Sequence, residues 1–379
     1  MVILDEPVAS EALIQWLVAS QHPVLANAFA KQKEAEGCAL NLVDDAEGAR
    51  RADAGERIYT CTENALAWIM DHAANEGLKA SIQLFKDKGL MRERLSALND
   101  GFFFKRVGRD ELEEVDADEL PLPVVLKPNV GFCSMGVYVV DSAHAWAEAL
   151  ADIERSENQW HALYPESVVG ADEYLIEGYI EGPEFAVDAY YDEAGAPHIL
   201  NIWRHDFASA EDTSDRLYLS SQQIVDETFD EFSQWLSDVN AIVGARSFCV
   251  HVELRRTDAG IIPIEFNPLR FAGLGGTDMA FYGCGYRTYE CYLEDVPLDL
   301  RQVYQAHPED VHSMSLLGRA GTGAFEYDVF AERFSDVLHF SRFDVDKVGS
   351  YGFLFLRTPV DDDAEREFLL HADLQEFLA

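Results

Sequence analysis

The chain reads as an α+β protein, and three stretches carry that expectation. Residues 1–84 alternate amphipathic helical segments with short apolar runs, the pattern of a small α/β unit. "VVLKPNVGFCSMGVYVV" (residues 124–140) places a glycine-bearing loop between two apolar runs. "SFCVHVELRRTDAGIIPIEFNPLR" (residues 247–270) alternates apolar and polar positions on both sides of a turn, as a β-hairpin does.

In chain order, "ASEALIQWLVAS" and "TENALAWIMDHAAN" have helical apolar spacing, with Ser10 and Thr62 as caps. "LFKDKGLMRERLSALND" continues with leucines and methionine at helical spacing. The acidic run "GRDELEEVDADELPLP" reads as a solvated linker. After the glycine loop, "DSAHAWAEALADI" predicts a helix capped by Ser142. Residues 173–203 predict strand, turn, strand, turn and strand, with turn chemistry from Asp192 to Pro197. "DETFDEFSQWLSDVNAIVG" is an amphipathic helix, and "SYGFLFLRTP" and a terminal helix "DDDAEREFLLHADLQEFL" follow beyond residue 300.

Bulk composition narrows the function. At 379 residues the chain can form two or three packed units. Its 29 Lys and Arg against 69 Asp and Glu give a net charge of −40. Such a field repels nucleic acid and anionic lipid, so neither is an expected partner. With 48% hydrophobic residues the chain is too apolar for a disordered acidic tail. The acidic surface also suits a high-salt cytoplasm. Six scattered cysteines with no Cys-x-x-Cys argue against a disulfide frame or structural zinc site and for a reducing, cytoplasmic setting. Asp5, Glu6 and Glu11 stand where a secretory leader would be basic. No apolar run reaches the roughly 18 residues a membrane helix needs.

The chemistry begins at Lys127. Gly131 and Gly136 allow backbone N–H groups to approach an anion closely, and the lysine precedes their loop. The better-known phosphate loop carries its lysine inside and feeds a helix; here a strand follows. In the hairpin, Phe248, Val250, Val252 and Leu254 share one face, and Cys249, His251, Glu253 and Arg255 the other. On the return strand Glu265 and Asn267 oppose Ile262, Ile264 and Phe266. A three-residue loop Asp258-Ala259-Gly260 would pair Thr257 with Ile261, Leu254 with Ile264 and Val252 with Phe266. That register sets Glu253 opposite Glu265 and His251 opposite Asn267. Two facing carboxylates destabilise a sheet unless something neutralises them. Magnesium does so with oxygen ligands and substrate phosphates, and Asn267 adds another oxygen. Alone the pair would read as an exposed polar face; with the lysine and anion loop it describes a nucleoside triphosphate site.

These motifs resemble the ATP-grasp superfamily of carboxylate–amine and carboxylate–thiol ligases over roughly residues 80–300. "GFCSMGV" after Lys127 looks like its phosphate flap, "LIEGYIEGPEFAVD" like its adenine connector and "HVEL…IEFNP" like its magnesium hairpin. The resemblance implies an ATP-grasp fold with an N-terminal Rossmann-like α/β (pre-ATP-grasp) domain over 1–84. The ATP-grasp domain would span 85–300 with a small lid over 100–176, and a C-terminal α/β segment, 301–379, would pack on it.

It further implies that Lys88 and Lys127, with Ser134 of the flap, hold the phosphates; Lys86 competes with Lys88. Glu177 and the backbone at Tyr179 and Ile180 would face adenine, and Glu184 the ribose. Glu253, Glu265 and Asn267 would hold Mg²⁺, with Mn²⁺ as the alternative ion. Arg270 stands three residues after the asparagine where many relatives have arginine two after; it and His251 are the catalytic candidates. His251 is equally readable as a polar neighbour of Asn267. Trp203, Arg204 and His205 with Gly275, Gly276, Thr277 and Asp278 are candidates for the acceptor pocket.

The implied reaction activates a carboxylate as an acyl phosphate and joins it to an amine, releasing ADP and phosphate. A phosphotransferase and a non-catalytic nucleotide-binding regulator are the alternatives. The expected partners are a small carboxylate and an amine, with a homodimer left open.

Overall fold

The computed structural model describes residues 1–130, 136–163, 170–209, 212 and 214–379. The short apolar runs of the N-terminal unit become four parallel strands, β1 (Val2–Ile3), β2 (Pro23–Leu25), β3 (Asn41–Val43) and β4 (Tyr59–Thr60), in the order β3-β2-β1-β4. Ser10 caps the helix Glu11–Ser20 by accepting from the Leu13 N–H at 3.2 Å. Thr62 does not act as a cap. A 3₁₀ turn, Glu63–Ala65, precedes the helix Leu66–His72, and the Thr62 hydroxyl makes no capping bond. The turn matters because it carries Glu63.

The expected helix over residues 84–100 is broken. Helices Glu76–Lys86 and Lys88–Arg94 meet at Asp87, whose extended backbone ends the first and whose carboxylate caps the second through Leu90 N–H at 2.7 Å. Lys86 and Lys88 therefore leave the chain on different elements.

The stretch expected to form the lid is an antiparallel sheet of β5 (Phe104–Gly108), β6 (Val124–Val130), β7 (Tyr138–Val140) and β8 (Gly170–Gly178), ordered β5-β8-β6-β7. Ser142 caps the helix Ala143–Leu163 as expected, accepting from Ala145 N–H at 3.2 Å. Trp146 and Ile153 on that helix pack against Val107, Leu126 and Ile176 of the sheet. The acidic stretch 108–123 is more than a solvated linker: 3₁₀ turns Arg109–Glu114 and Ala117–Glu119 bury Leu112 and Ala117 in the lid core.

The remaining strands are β9 (Glu184–Tyr191), β10 (Pro197–Asp206), β11 (Leu217–Ser221), β12 (Phe248–Thr257), β13 (Gly260–Pro268), β14 (Asp310–Gly318), β15 (Val337–Arg342) and β16 (Ser350–Pro359). They form one sheet ordered β13-β12-β9-β10-β11-β14-β16-β15. The residues beyond 300 thus continue the central sheet by three strands. Helix Gln222–Val243, capped by Ser221 and ended by Gly244 at φ +74°, buries Val225, Phe232, Leu236 and Val239 in the core. The expected terminal helix is also divided, into Ala364–His371 and a 3₁₀ turn Leu374–Phe377. Among the described residues no helix is long and apolar enough to cross a membrane.

Gly352 joins β16 to β15 at φ +155°, and a Cβ there would lie 1.8 Å from the Ser341 carbonyl oxygen. Since that oxygen is backbone, no rotamer change relieves the clash. Gly352→Ala is expected to destabilise the fold by about 3 kcal/mol or more, read as a lower midpoint in denaturant with unchanged slope.

Candidate active site

The hairpin β12–β13 sets Glu253 opposite Glu265, Val252 opposite Phe266 and His251 opposite Asn267, as the alternation predicts. Its tip differs. Thr257 pairs with Gly260 across a two-residue turn, Leu254 pairs with Pro263 rather than Ile264, and the register shifts between Glu253 and Leu254. Ile264 is therefore a bulge residue, and its carbonyl accepts from Lys127 Nζ at 3.3 Å. The irregularity keeps the acids face to face and turns a backbone oxygen toward the lid lysine.

The acids have different surroundings. Glu265 Oε2 lies 2.8 Å from Lys88 Nζ, and Glu265 Oε1 accepts from Asn267 Nδ2 at 3.2 Å. Burial alone would raise its pKa, but Lys88, with Lys127 and Arg270 behind it, holds it below the ordinary carboxylate range. Glu253 is shifted up, by burial first and then by the facing Glu265. Hard oxygen donors from Glu253, Glu265 and Asn267 converge on this side of the hairpin. That donor set fits a magnesium-type ion.

The structure separates the competing lysines. Lys88 joins the hairpin, whereas Lys86 pairs with Glu63. Lys127 is buried on β6, with Nζ 2.6 Å from Glu177 Oε1, and Arg92 Nε donates to Glu177 Oε2 at 2.8 Å. The Glu177 side chain, 2% exposed, is therefore held between two cations instead of facing outward toward a nucleobase. Burial opposes its charge, yet Arg92 and Lys127 lower its pKa; burial lowers that of Lys127. Ser134 and Gly131 lie outside the described residues.

Residues 179–183 cross from β8 of the lid to β9 of the core, and all of them but Ile180 border a cavity of about 590 Å³. Tyr179, Gly182, Glu184, Arg204, Phe207 and Arg255 line it. Glu184 bonds His205 Nδ1 at 2.9 Å and the Arg255 guanidinium at 3.0 Å. Arg255 also donates to the Ile180 carbonyl at 2.7 Å and lies over the Tyr179 ring. Sequence reading placed Arg255 on the polar face without a role; its two-residue offset from Glu253 was the available signal.

His251 is buried, with Nδ1 2.8 Å from Asp188 Oδ1 and Nε2 3.6 Å from Glu253 Oε1. Burial disfavours its cation, but the hydrogen bond to Asp188 and the nearby Glu253 carboxylate raise its pKa to about 9. It is a buried neighbour of Glu253. Asp188 was missed by sequence reading. This fully buried acid on β9 also accepts from Thr277 Oγ1 at 2.6 Å and Ala272 N–H at 2.9 Å. An aspartate inside an apolar strand was its only signal.

Arg270 Nη2 lies 3.0 Å from Glu63 Oε1, after a left-handed turn at Leu269 with φ +57°. The offset arginine is thus tied to the N-terminal unit through the same acid that holds Lys86. The acceptor-pocket candidates divide. Arg204 and His205 border the cavity, Trp203 is in the core with Met279 and Met314, and Thr277 serves Asp188.

Asp278 is 2% exposed, and among the described residues neither carboxylate oxygen has a hydrogen-bond partner. Ser10 and Tyr289 lie beside it, and burial pushes its pKa up to about 6. A carboxyl raised on folding binds its proton more tightly in the native state. Its destabilisation therefore grows as pH rises from about 4 to 6 and is complete above that. Asp278→Asn is expected to raise the melting temperature more at pH 8 than at pH 4.5, with a gain of up to roughly 3 kcal/mol; equal shifts at both pH values would contradict it.

Residues 120–278 match the family described as ATP-grasp domain. The uncharacterized protein y4rH of Sinorhizobium fredii (strain NBRC 101917 / NGR234) is 26% identical over 157 residues, 41% of this chain and 30% of that relative, so the match spans less than a third of its length. L-amino acid ligase from Bacillus licheniformis superposes with a TM-score of 0.72 at 18% identity, over 100% of this chain and 97% of its own. Carboxyaminoimidazole ribonucleotide synthase from Aspergillus clavatus, complexed with ATP, gives 0.65 at 16% identity, over 99% and 98%. Residues 120–278 thus match the ATP-grasp domain family, and the chain as a whole shares the fold of these two ligase structures.

Proposed function

We propose that the protein is an ATP-dependent ligase that activates a carboxylate as an acyl phosphate and joins it to an amine. The facing of Glu253 and Glu265, with Asn267 on the same face and Lys88 on Glu265, carries this reading. Phosphoryl transfer needs positioned positive charge more than covalent catalysis. Glu253, Glu265 and Asn267 would hold Mg²⁺, which when bound neutralises phosphate charge. Lys88 and Lys127 would exchange part of their carboxylate contacts for phosphate oxygens. Tyr179 and the Ile180 backbone would border the base, Glu184 the ribose, and Ser134 the phosphates. His251 would hold Glu253 in place, and Arg270, once released from Glu63, would reach the reacting carboxylate.

In the proposed reaction a carboxylate oxygen attacks the γ-phosphorus and ADP leaves. The amine nitrogen then attacks the acyl carbon, loses a proton and expels phosphate. A closed lid would keep water from the acyl phosphate. Likeness to an L-amino acid ligase supports an amino acid as the activated acid.

The test is ADP release with Mg²⁺ across a panel of amino acids and small carboxylates, with hydroxylamine as trapping amine. A hydroxamate formed together with ADP is the expected result. A phosphorylated acceptor without hydroxamate would indicate a phosphotransferase, and ATP binding without ADP release across the panel would indicate a regulator.

A further inference from the structure

Away from the hairpin, the sequence "HPEDVH" (residues 307–312) places chemically distinctive groups together. Asp310 and His312 are two apart on β14 and project to one side of it. A turn closed by Asp310 N–H to the His307 carbonyl at 3.2 Å brings His307 back over them. One donor atom from each of the three residues lies within 4.8 Å of the others. His307 Nδ1 and Asp310 Oδ2 are already 3.4 Å apart, close to the edge of a tetrahedral coordination shell. Among the described residues no other group of His, Cys, Asp and Glu meets that spacing.

A second observation points to a ligand. His312 is 1% exposed, and among the described residues its Nε2 has no hydrogen-bond partner. Its Nδ1 lies 3.8 Å from Cys284 Sγ. A buried ring nitrogen without a partner is costly, and a metal ion would satisfy it. The cation across the strand pair does not fill this role, because Arg357, opposite His312, is bound to Asp336 at 2.8 and 2.7 Å.

We propose that His307, Asp310 and His312 form a second divalent-metal site, of zinc type, that fastens the turn leading into β14. Two imidazoles and one carboxylate suit zinc better than magnesium, which prefers oxygen alone. The site is distinct from the hairpin: β14 is four strand positions from β12, roughly 19 Å at the usual strand spacing. The cysteine spacing gave no hint of it because its ligands are histidine and aspartate.

The experiment titrates Co²⁺ into the full chain with Mg²⁺ in large excess, so that oxygen-rich sites are already occupied. One equivalent should produce visible d–d absorption, be displaced by Zn²⁺ and raise the melting temperature. His307→Ala and Asp310→Ala, both at a partly exposed turn, should each weaken Co²⁺ binding by at least tenfold, whereas Glu265→Gln should leave it unchanged. Absence of the absorption in the wild-type chain, or unaltered binding by folded His307→Ala and Asp310→Ala proteins, would overturn the proposal.

Discussion

Glu265→Gln lowers ADP formation by roughly 10²–10³-fold while the protein stays folded. Glutamine keeps the shape of the side chain and an oxygen for Asn267, so the hairpin pairing survives. It removes the charge that Lys88 meets at 2.8 Å and that faces Glu253 across the ribbon. In the proposed reaction one acid would then be left to offset the divalent ion, and Lys88 would lose its carboxylate partner. The folded state does not suffer equally, because removing one of two facing carboxylates relieves the repulsion that, after burial, raises Glu253. The measurement is steady-state ADP release beside a thermal melt. Near-wild-type turnover in a protein of unchanged melting temperature would remove the basis for placing phosphoryl chemistry at the hairpin.

Glu177→Gln has the largest expected effect on stability, about 3–5 kcal/mol. Glu177, Lys127 and Arg92 have side-chain exposures of only 2%, 5% and 3%. They come from β8, β6 and the helix Lys88–Arg94, so the cluster fastens the lid to the helix that precedes it. Neutralising the acid leaves two buried cations beside each other, and among the described residues Arg92 Nη1 and Nη2 already lack hydrogen bonds. The pH sign follows from the depressed pKa of Glu177. Its contribution is fully present above the unfolded value near 4.5 and is lost as pH falls through the lower folded value. The wild-type advantage over Glu177→Gln should be complete at neutral pH and shrink in acid, as measured by urea midpoints. A difference within about 1 kcal/mol at pH 7 would mean the cluster behaves as a surface pair.

The parts legible in the sequence were those fixed by local periodicity. Strict alternation from Phe248 to Leu254 set the face and register of Glu253, and Ser10 and Ser142 stood at real helix starts. Thr62 misled because a cap signature cannot distinguish an α-helix from a 3₁₀ turn that precedes one. The bulge at Ile264 was hidden because a two-residue turn plus one extra residue matches a three-residue loop in length. Long-range partners left no local pattern. Glu63 with Arg270, Asp188 with His251, and Lys127 with Glu177 pair residues 207, 63 and 50 positions apart, and tertiary packing alone decides them.

The continuous central sheet limits how the chain can be divided. β11 pairs with β14 through Tyr218 with Met314 and Leu219 with Ser313. Cutting after residue 300, where sequence reading ended the nucleotide-binding domain, would strip that partner and leave β11 as a raw edge with open backbone donors and acceptors. Such an edge invites pairing between molecules. A shortened fragment intended as a minimal catalytic unit would therefore precipitate, although every proposed nucleotide contact lies within it.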